Sequence, residues 1–468
     1  MQIFEMLLYV VEVILLIFLL RKSKTIRIQV IGCICIAITV FVMHLIFESF
    51  RWQLVTLYIS LVGLAITTLL FINKKNANQL IYKITISSSV TFIVISLLLA
   101  YAFPIYDMPL TNGDYLIGTE SFIIEDESRF EQYGSDDTKY RKIKIQCWYP
   151  TDSIDGYEQV PWLEDGIEVS RSLSRDTGLP AFVLNHTTSI FSNSYEEAPI
   201  SSNLESYPIV VISHGWRGFR NLHTDFAEEL ASNGYFVVSI DHTYGSVATV
   251  FSEDEVALLN LDALPNRETT PDFLDYANQL VNTYALDVVA TLDYLELINN
   301  SNFGNKLDLT KIGLLGHSTG GGGDVTVALQ DDRIDSIIGL DAWVEPIDEV
   351  LINQGLTIPS LFLRSGQWET GYNNISLYNL VENNTQTSLL YQIDGTTHYD
   401  FTMVYMYSPL TKLIGFTGDI EGEYLNTILE TMIVDFFDNT LRQDTYTDID
   451  VSDWEEVQSI TDFSIEIE

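Results

Sequence analysis

The chain has 468 residues, room for a membrane part and one large globular domain, and its 64 acidic residues outnumber 24 basic ones for a net charge of −40. Such an excess repels nucleic-acid phosphates and anionic lipid headgroups, so it argues against partners of either kind. The cysteines add no constraint: Cys33 and Cys35 lie in an apolar stretch and Cys147 stands alone, which gives neither a disulfide framework nor a thiolate–histidine metal spacing.

Four apolar runs open the chain, at about Ile3–Leu20, Ile28–Phe47, Leu54–Ile72 and Ile84–Phe103. Each is near the roughly 20 residues that cross a bilayer. The first lacks the basic start and small-residue cleavage site of a signal peptide. Bases cluster in the first joint (Arg21, Lys22, Lys24, Arg27) and the third (Lys74, Lys75, Lys83), while the second has only Arg51. Basic joints stay cytoplasmic, so the N-terminus and everything after Phe103 are expected on the outer face. Glu12 and His44 are the ionisable groups deep in a run. Glu12 has no matching charge in the other spans, so the bundle reads as an anchor rather than a transport path.

Beyond Tyr106 the pattern changes. Tyr115–Glu125 and Arg141–Tyr149 alternate with period two and predict an antiparallel hairpin around a charged loop. Continuous apolar strands are then expected at Pro208–Ser213, Tyr235–Ile240, Lys311–Leu315, Asp335–Leu340, Ile358–Leu363 and Ser388–Ile393. Helical spacing fills Asn221–Ser232, Thr270–Ile298 and the stretch after Ser318. Strands of this kind joined by helices predict an α/β fold with a mainly parallel sheet covered on both faces. Sites in such sheets gather at the carboxyl ends of the strands. The residues there are His214-Gly215-Trp216, Asp241-His242, Ser318, Asp341-Ala342-Trp343 and His398. From about Arg442 the chain is acidic and weakly patterned, consistent with either a disordered tail or a surface wrap.

The sharpest motif is Gly316-His317-Ser318-Thr319-Gly320, which follows the strand Lys311–Leu315. A serine there sits on a tight strand-to-helix turn with its hydroxyl exposed, and the small neighbours leave room beside it. Its hydroxyl needs a base, and the base needs a partner that holds its tautomer. The histidines can be taken in turn. His44 lies in the apolar segment, and His186 and His223 sit in polar sequence as expected surface residues. His317 is expected to point away, and His214 to shape its own loop. His242 ends a strand before the serine. His398, after the last apolar strand, is the expected base. The acid is open between Asp341, at the end of the strand after the serine, and Glu369, after the next; Asp394 reads as a turn residue. Backbone amides of Thr319 and Trp216 are the expected oxyanion donors.

These residues resemble the plasma-type (isoform II) platelet-activating factor acetylhydrolases, also called lipoprotein-associated phospholipases, and their bacterial relatives. The resemblance runs from about Tyr115 to Asp438. It rests on Val210–Gly215, Ala231–Val238, Gly316–Gly321, Leu340-Asp341-Ala342-Trp343 and Thr397-His398. It implies an α/β-hydrolase fold and a Ser318, Asp341, His398 triad, which favours Asp341 over Glu369. Trp216 replaces a different apolar residue of the family, and Thr319 a bulkier one. The run Gly320–Gly323 is similar to bacterial cutinase-like polyester hydrolases, whose acid lies further along the chain. The expected organisation is a four-helix transmembrane anchor over 1–104, an α/β-hydrolase domain over 105–441 and an acidic tail over 442–468. The expected activity is that of an integral-membrane serine esterase on short-acyl phospholipids or small esters, with no metal or cofactor. A cutinase-like polyesterase and a non-catalytic binding module are the alternatives. Phe401–Phe416, rich in Met, Tyr and Phe, is expected to be core, an acyl-pocket wall or a lip dipping into lipid.

Overall fold

The computed structural model describes residues 2–21, 26–72, 79–443 and 449–463. The chain forms two compact units, one of residues 1–106 with 407–410, the other of residues 107–406 and 411–468.

The first unit is four helices, α1 (Ile3–Arg21), α2 (Arg27–Phe47), α3 (Val55–Ile72) and α4 (Gln79–Ala102). All four are long and apolar enough to cross a membrane. Polar contacts gather at one end. The Glu48 carboxylate accepts from the N–H groups of Phe4 (2.7 Å) and Glu5 (3.1 Å), capping orphan donors at the start of α1. Arg51 pairs with Glu5 at 2.6 Å and donates to the Phe103 carbonyl at 2.7 Å. The start of α1, the α2–α3 joint and the end of α4 therefore share one end of the bundle. At the other end Arg27 donates to the Ile72 carbonyl. Lys22, Lys24, Lys74 and Lys75, which carry much of the charge asymmetry, lie outside the described residues.

The second unit is built on one sheet. Its strands are β1 (Leu116–Phe130), β2 (Tyr140–Thr151), β3 (Gln159–Pro161), β4 (Phe191–Glu196), β5 (Tyr207–Ser213) and β6 (Phe236–Asp241). A separate hairpin, β7 (Ala248–Ser252) and β8 (Glu255–Leu258), precedes β9 (Leu307–His317), β10 (Ser336–Leu340), β11 (Ser360–Ser365), β12 (Ser388–Ile393) and β13 (Val457–Ser459). The order across the sheet is β13-β12-β11-β10-β9-β5-β6-β2-β1-β4-β3. From β12 to β6 every neighbouring pair is parallel. The β1–β2 hairpin joins antiparallel to β6.

Alternation along the parallel strands sorts their side chains onto two buried faces. Ile209, Val211, Leu314, Ile337 and Phe362 pack against α7 (Phe273–Phe303), α8 (Thr319–Ala328) and α10 (Asn373–Asn383), the last two of these flanking the four-residue α9 (Glu349–Ile352). Val210, Ile212, Leu315, Ile338 and Leu361 pack against α6 (Thr224–Ser232) and α11 (Gly422–Phe437). A further short helix, α5 (Gly166–Asp176), lies in the 152–206 excursion that also supplies β3 and β4.

The acidic C-terminal stretch does not hang free where it is described. β13 pairs antiparallel with β12, Asp394 N–H donates to the Glu456 carbonyl, and Trp454 and Val457 pack on the core. Of the two outcomes the sequence left open, this is the surface wrap.

Candidate active site

β9 ends at His317 and α8 begins at Thr319, so Ser318 alone makes the turn, at φ 54° and ψ −120°. A positive φ on a side chain with a Cβ costs of order 1–3 kcal/mol and persists only where its surroundings impose it. They do here. Ser318 N–H donates to the Leu340 carbonyl (3.0 Å), and the Ser318 carbonyl accepts from Trp343 (2.8 Å) and Gly322 (3.1 Å). The glycine run allows α8 to sit this deep: a Cβ on Gly320 would lie 2.3 Å from the Ser213 carbonyl oxygen, and one on Gly322 equally close to that of Trp343.

The loop after β5 passes the serine at contact distance. A Cβ on Gly215 would fall 2.8 Å from Ser318 Cβ and 3.4 Å from its Oγ, so only glycine fits. Gly218 N–H closes a turn onto the Gly215 carbonyl, with Trp216 and Arg217 (φ 68°) at its corners. His214 fixes this loop. Its Nδ1–H donates to the Gly215 carbonyl at 2.7 Å, leaving Nε2 to accept from the Ser246 hydroxyl at 2.8 Å. Burial and the neighbouring His242 hold its imidazole well below the ordinary histidine range. Among the described residues, the main-chain N–H groups of Trp216 and Thr319 have no hydrogen-bond partner. They are the two donors that the sequence singled out.

Asp341 follows β10 with φ 42° and a fully buried side chain. Its Oδ1 accepts from Ser365 N–H at 2.7 Å, and its Oδ2 from the Ser365 hydroxyl at 2.6 Å and from His398 Nδ1 at 2.9 Å. With Nδ1–H committed to Asp341, Nε2 is the free nitrogen of His398. Glu369, the rival acid, is exposed. The structure thus joins His398 to Asp341 and sets both beside the turn that carries Ser318. It forms no hydrogen bond from the Ser318 hydroxyl among the described residues, a contact often long until substrate binds.

Several supporting residues escaped the sequence reading. Ser365 holds Asp341 from the end of β11, and Gln367 Oε1 accepts from His398 N–H at 2.8 Å. His317 does not point away from the site. Its Nε2–H donates to the His398 carbonyl at 3.0 Å, and the two rings lie 4.5 Å apart. Burial and the nearby His398 keep the His317 imidazole well below its usual range. His223, expected at the surface, is buried with its ring 5.6 Å from that of His317, and burial pushes it down to about 3. His186 is buried as well. His242 belongs to an ion cluster: its Nδ1 bonds Asp287, which Arg141 and Arg129 also hold. Burial alone would raise the Asp287 carboxyl, and the Arg141 guanidinium more than reverses it. Beneath the turn, Asp324 accepts from the Ser213 hydroxyl at 2.7 Å, and burial pushes its carboxyl up to about 8.

Comparison with known proteins gives a consistent answer. The profile of the family described as platelet-activating factor acetylhydrolase, isoform II, matches residues 101–465. A platelet-activating factor acetylhydrolase of Canis lupus familiaris is 23% identical over 338 residues, covering 68% of this chain and 72% of that protein. That of Bos taurus shows the same identity and coverage over 338 residues. Cutinase est2 of Thermobifida alba is 24% identical over 201 residues, 42% of this chain and 53% of its own. The solved structure of a ferulic acid esterase from Streptomyces cinnamoneus superposes with a TM-score of 0.63 at 23% identity, covering 76% of this chain and 99% of that one. The fold is that of the α/β-hydrolases, and the chain belongs to the platelet-activating factor acetylhydrolase, isoform II, family of carboxylic ester hydrolases.

Proposed function

We propose that this protein is a membrane-anchored serine esterase whose nucleophile is Ser318, with His398 as base and Asp341 as its acidic partner. The carrying observation is the 2.9 Å bond from His398 Nδ1 to Asp341 beside the strained turn of Ser318. In this reading His398 Nε2 takes the Ser318 proton as Oγ attacks the ester carbonyl. The tetrahedral oxyanion is received by the amide of Thr319 at the start of α8 and that of Trp216 in the loop after β5. The imidazolium then protonates the departing alkoxide, leaving an acyl-enzyme. A water attacks in turn, losing its proton to His398, and the acid and free serine are released. Asp341 keeps Nδ1 protonated throughout and stabilises the cation, and Ser365 keeps Asp341 in place.

The names of the relatives suggest platelet-activating factor-type phospholipids with a short acyl chain as substrates, alongside other small esters. The match to a cutinase favours a second reading, a polyesterase, and hydrolysis of short-acyl phospholipid against polyester film decides between them. The basic joints put the hydrolase unit on the outer face of the membrane in this reading. The central test is Ser318→Ala on p-nitrophenyl acetate. A loss of roughly 10⁴-fold or more in kcat is expected, while wild-type turnover in that variant ends the proposal. Labelling of Ser318 by a fluorophosphonate separates the esterase from a binding module that has lost catalysis.

A further inference from the structure

The imidazole of His398 lies in close contact with two other rings. The indole of Trp368 stacks on one face, its ring centroid 4.5 Å away and its plane 2° from parallel. The His317 ring is also 4.5 Å away but tilted by 32°. The turn that presents Trp368, Gly366–Trp368, is stitched to the turn that presents His398. Gly366 N–H donates to Thr396 Oγ1 (3.2 Å), Gln367 N–H to the Thr396 carbonyl (3.2 Å), and His398 N–H to Gln367 Oε1. This parallel contact is therefore built by main-chain and side-chain bonds on both sides of it.

Resting on the function proposed above, we infer that Trp368 is a positioning residue that holds the His398 ring edge-on to its two proton partners and stabilises its cationic form. Indole has the strongest negative face among the side chains, and a cation over it gains roughly 0.5–2 kcal/mol, which corresponds to about 2- to 30-fold in rate. That gain appears only when the imidazole takes a proton, so it acts on the transition state rather than on bound substrate. The surroundings leave this role to Trp368. Asp341 faces the Nδ1 edge, and the neighbouring His317 is kept neutral by burial. Tyr399 meets the ring at 5.8 Å and nearly edge-on. The Asp400 carboxylate is turned toward the N–H groups of Thr397 and Gly418, and Glu369 is exposed.

The base takes a proton in both half-reactions, from serine in acylation and from water in deacylation. Trp368→Leu should therefore slow both the burst and the steady-state phase of p-nitrophenyl acetate hydrolysis by about 2- to 30-fold with little change in KM. Trp368→Phe, which keeps an aromatic face of weaker quadrupole, should fall between, and it carries the test if the leucine variant does not fold. A loss confined to the burst, or to KM, would make Trp368 a wall for the leaving group and overturn the inference. So would unchanged rates in both variants. Fluorophosphonate labelling of the wild type is the control: if Ser318 is not labelled there, the catalytic reading itself has failed.

Discussion

The two halves of the site are built by different means. Ser318 and Asp341 each sit at the end of a central parallel strand with positive φ, and main-chain bonds to neighbouring strands lock both. His398 instead rides a short turn after β12, held by side chains: Gln367, His317, Asp341 and the stacked Trp368. Below that turn, α11 closes the core together with Phe401, and β13 covers the outer edge of β12. The proposed nucleophile and acid are thus fixed by the backbone of the sheet, which tolerates little adjustment. The proposed base is set by packing, where position is tunable in small steps.

The sharpest way to break this comparison is at the acid. Asp341→Asn keeps the shape but destroys the tautomer that leaves Nε2 free, so kcat should fall by roughly 10⁴-fold. Glu369→Gln should stay near wild type. The opposite ranking in steady-state assays would move the acid to β11. Next comes the locked half. Gly215→Ala forces a Cβ against Ser318, which must displace the loop that carries the Trp216 amide. Loss of one oxyanion donor is worth roughly 10²–10³ in kcat, with less change in KM. Wild-type kcat in this variant would show that the loop yields after all.

The softer half should respond to pH through stability. Glu430 on α11 accepts from Asn426 at 2.7 Å, and burial together with Asp225 pushes its carboxyl up to about 9. Asp225 and Glu228 on α6 are each pushed up to about 7 by burial. A carboxyl whose folded value is raised binds its proton in the folded state while the unfolded chain has released it. The stabilising contribution of these carboxyls should then fall as pH rises from about 4.5 to 9. Between pH 7 and 9 Glu430 shares this slope with Asp324, which burial pushes up to about 8, so Glu430→Gln should make the fall of melting temperature with pH shallower there without abolishing it. Parallel curves for the two proteins, followed by far-UV circular dichroism, would contradict this.

Much of the frame was legible because local chemistry dictates it. The apolar runs at Pro208–Ser213 and Ser388–Ile393, and the small residues around Ser318, leave few alternatives to buried strands and a tight turn. Ser365, Gln367 and Trp368 were not legible. Nothing in their local sequence distinguishes them, and their roles exist only because β11 lies beside both β10 and β12. His223 and His186 misled for the same reason. Polar neighbours suggested the surface, but tertiary packing covers both. β3, α5 and β4 lie in a polar excursion with weak periodicity, and β13 is three residues long. Pairing partners rather than intrinsic pattern define them.

The turn at Ser318 has a consequence for durability. A backbone forced to φ 54° holds energy that a residue without a Cβ would release. Ser318→Gly should therefore melt higher than the wild type while hydrolysing nothing, a protein that gains robustness by giving up its chemistry. In that sense the position proposed as the nucleophile is also one its fold would discard first if endurance alone were selected.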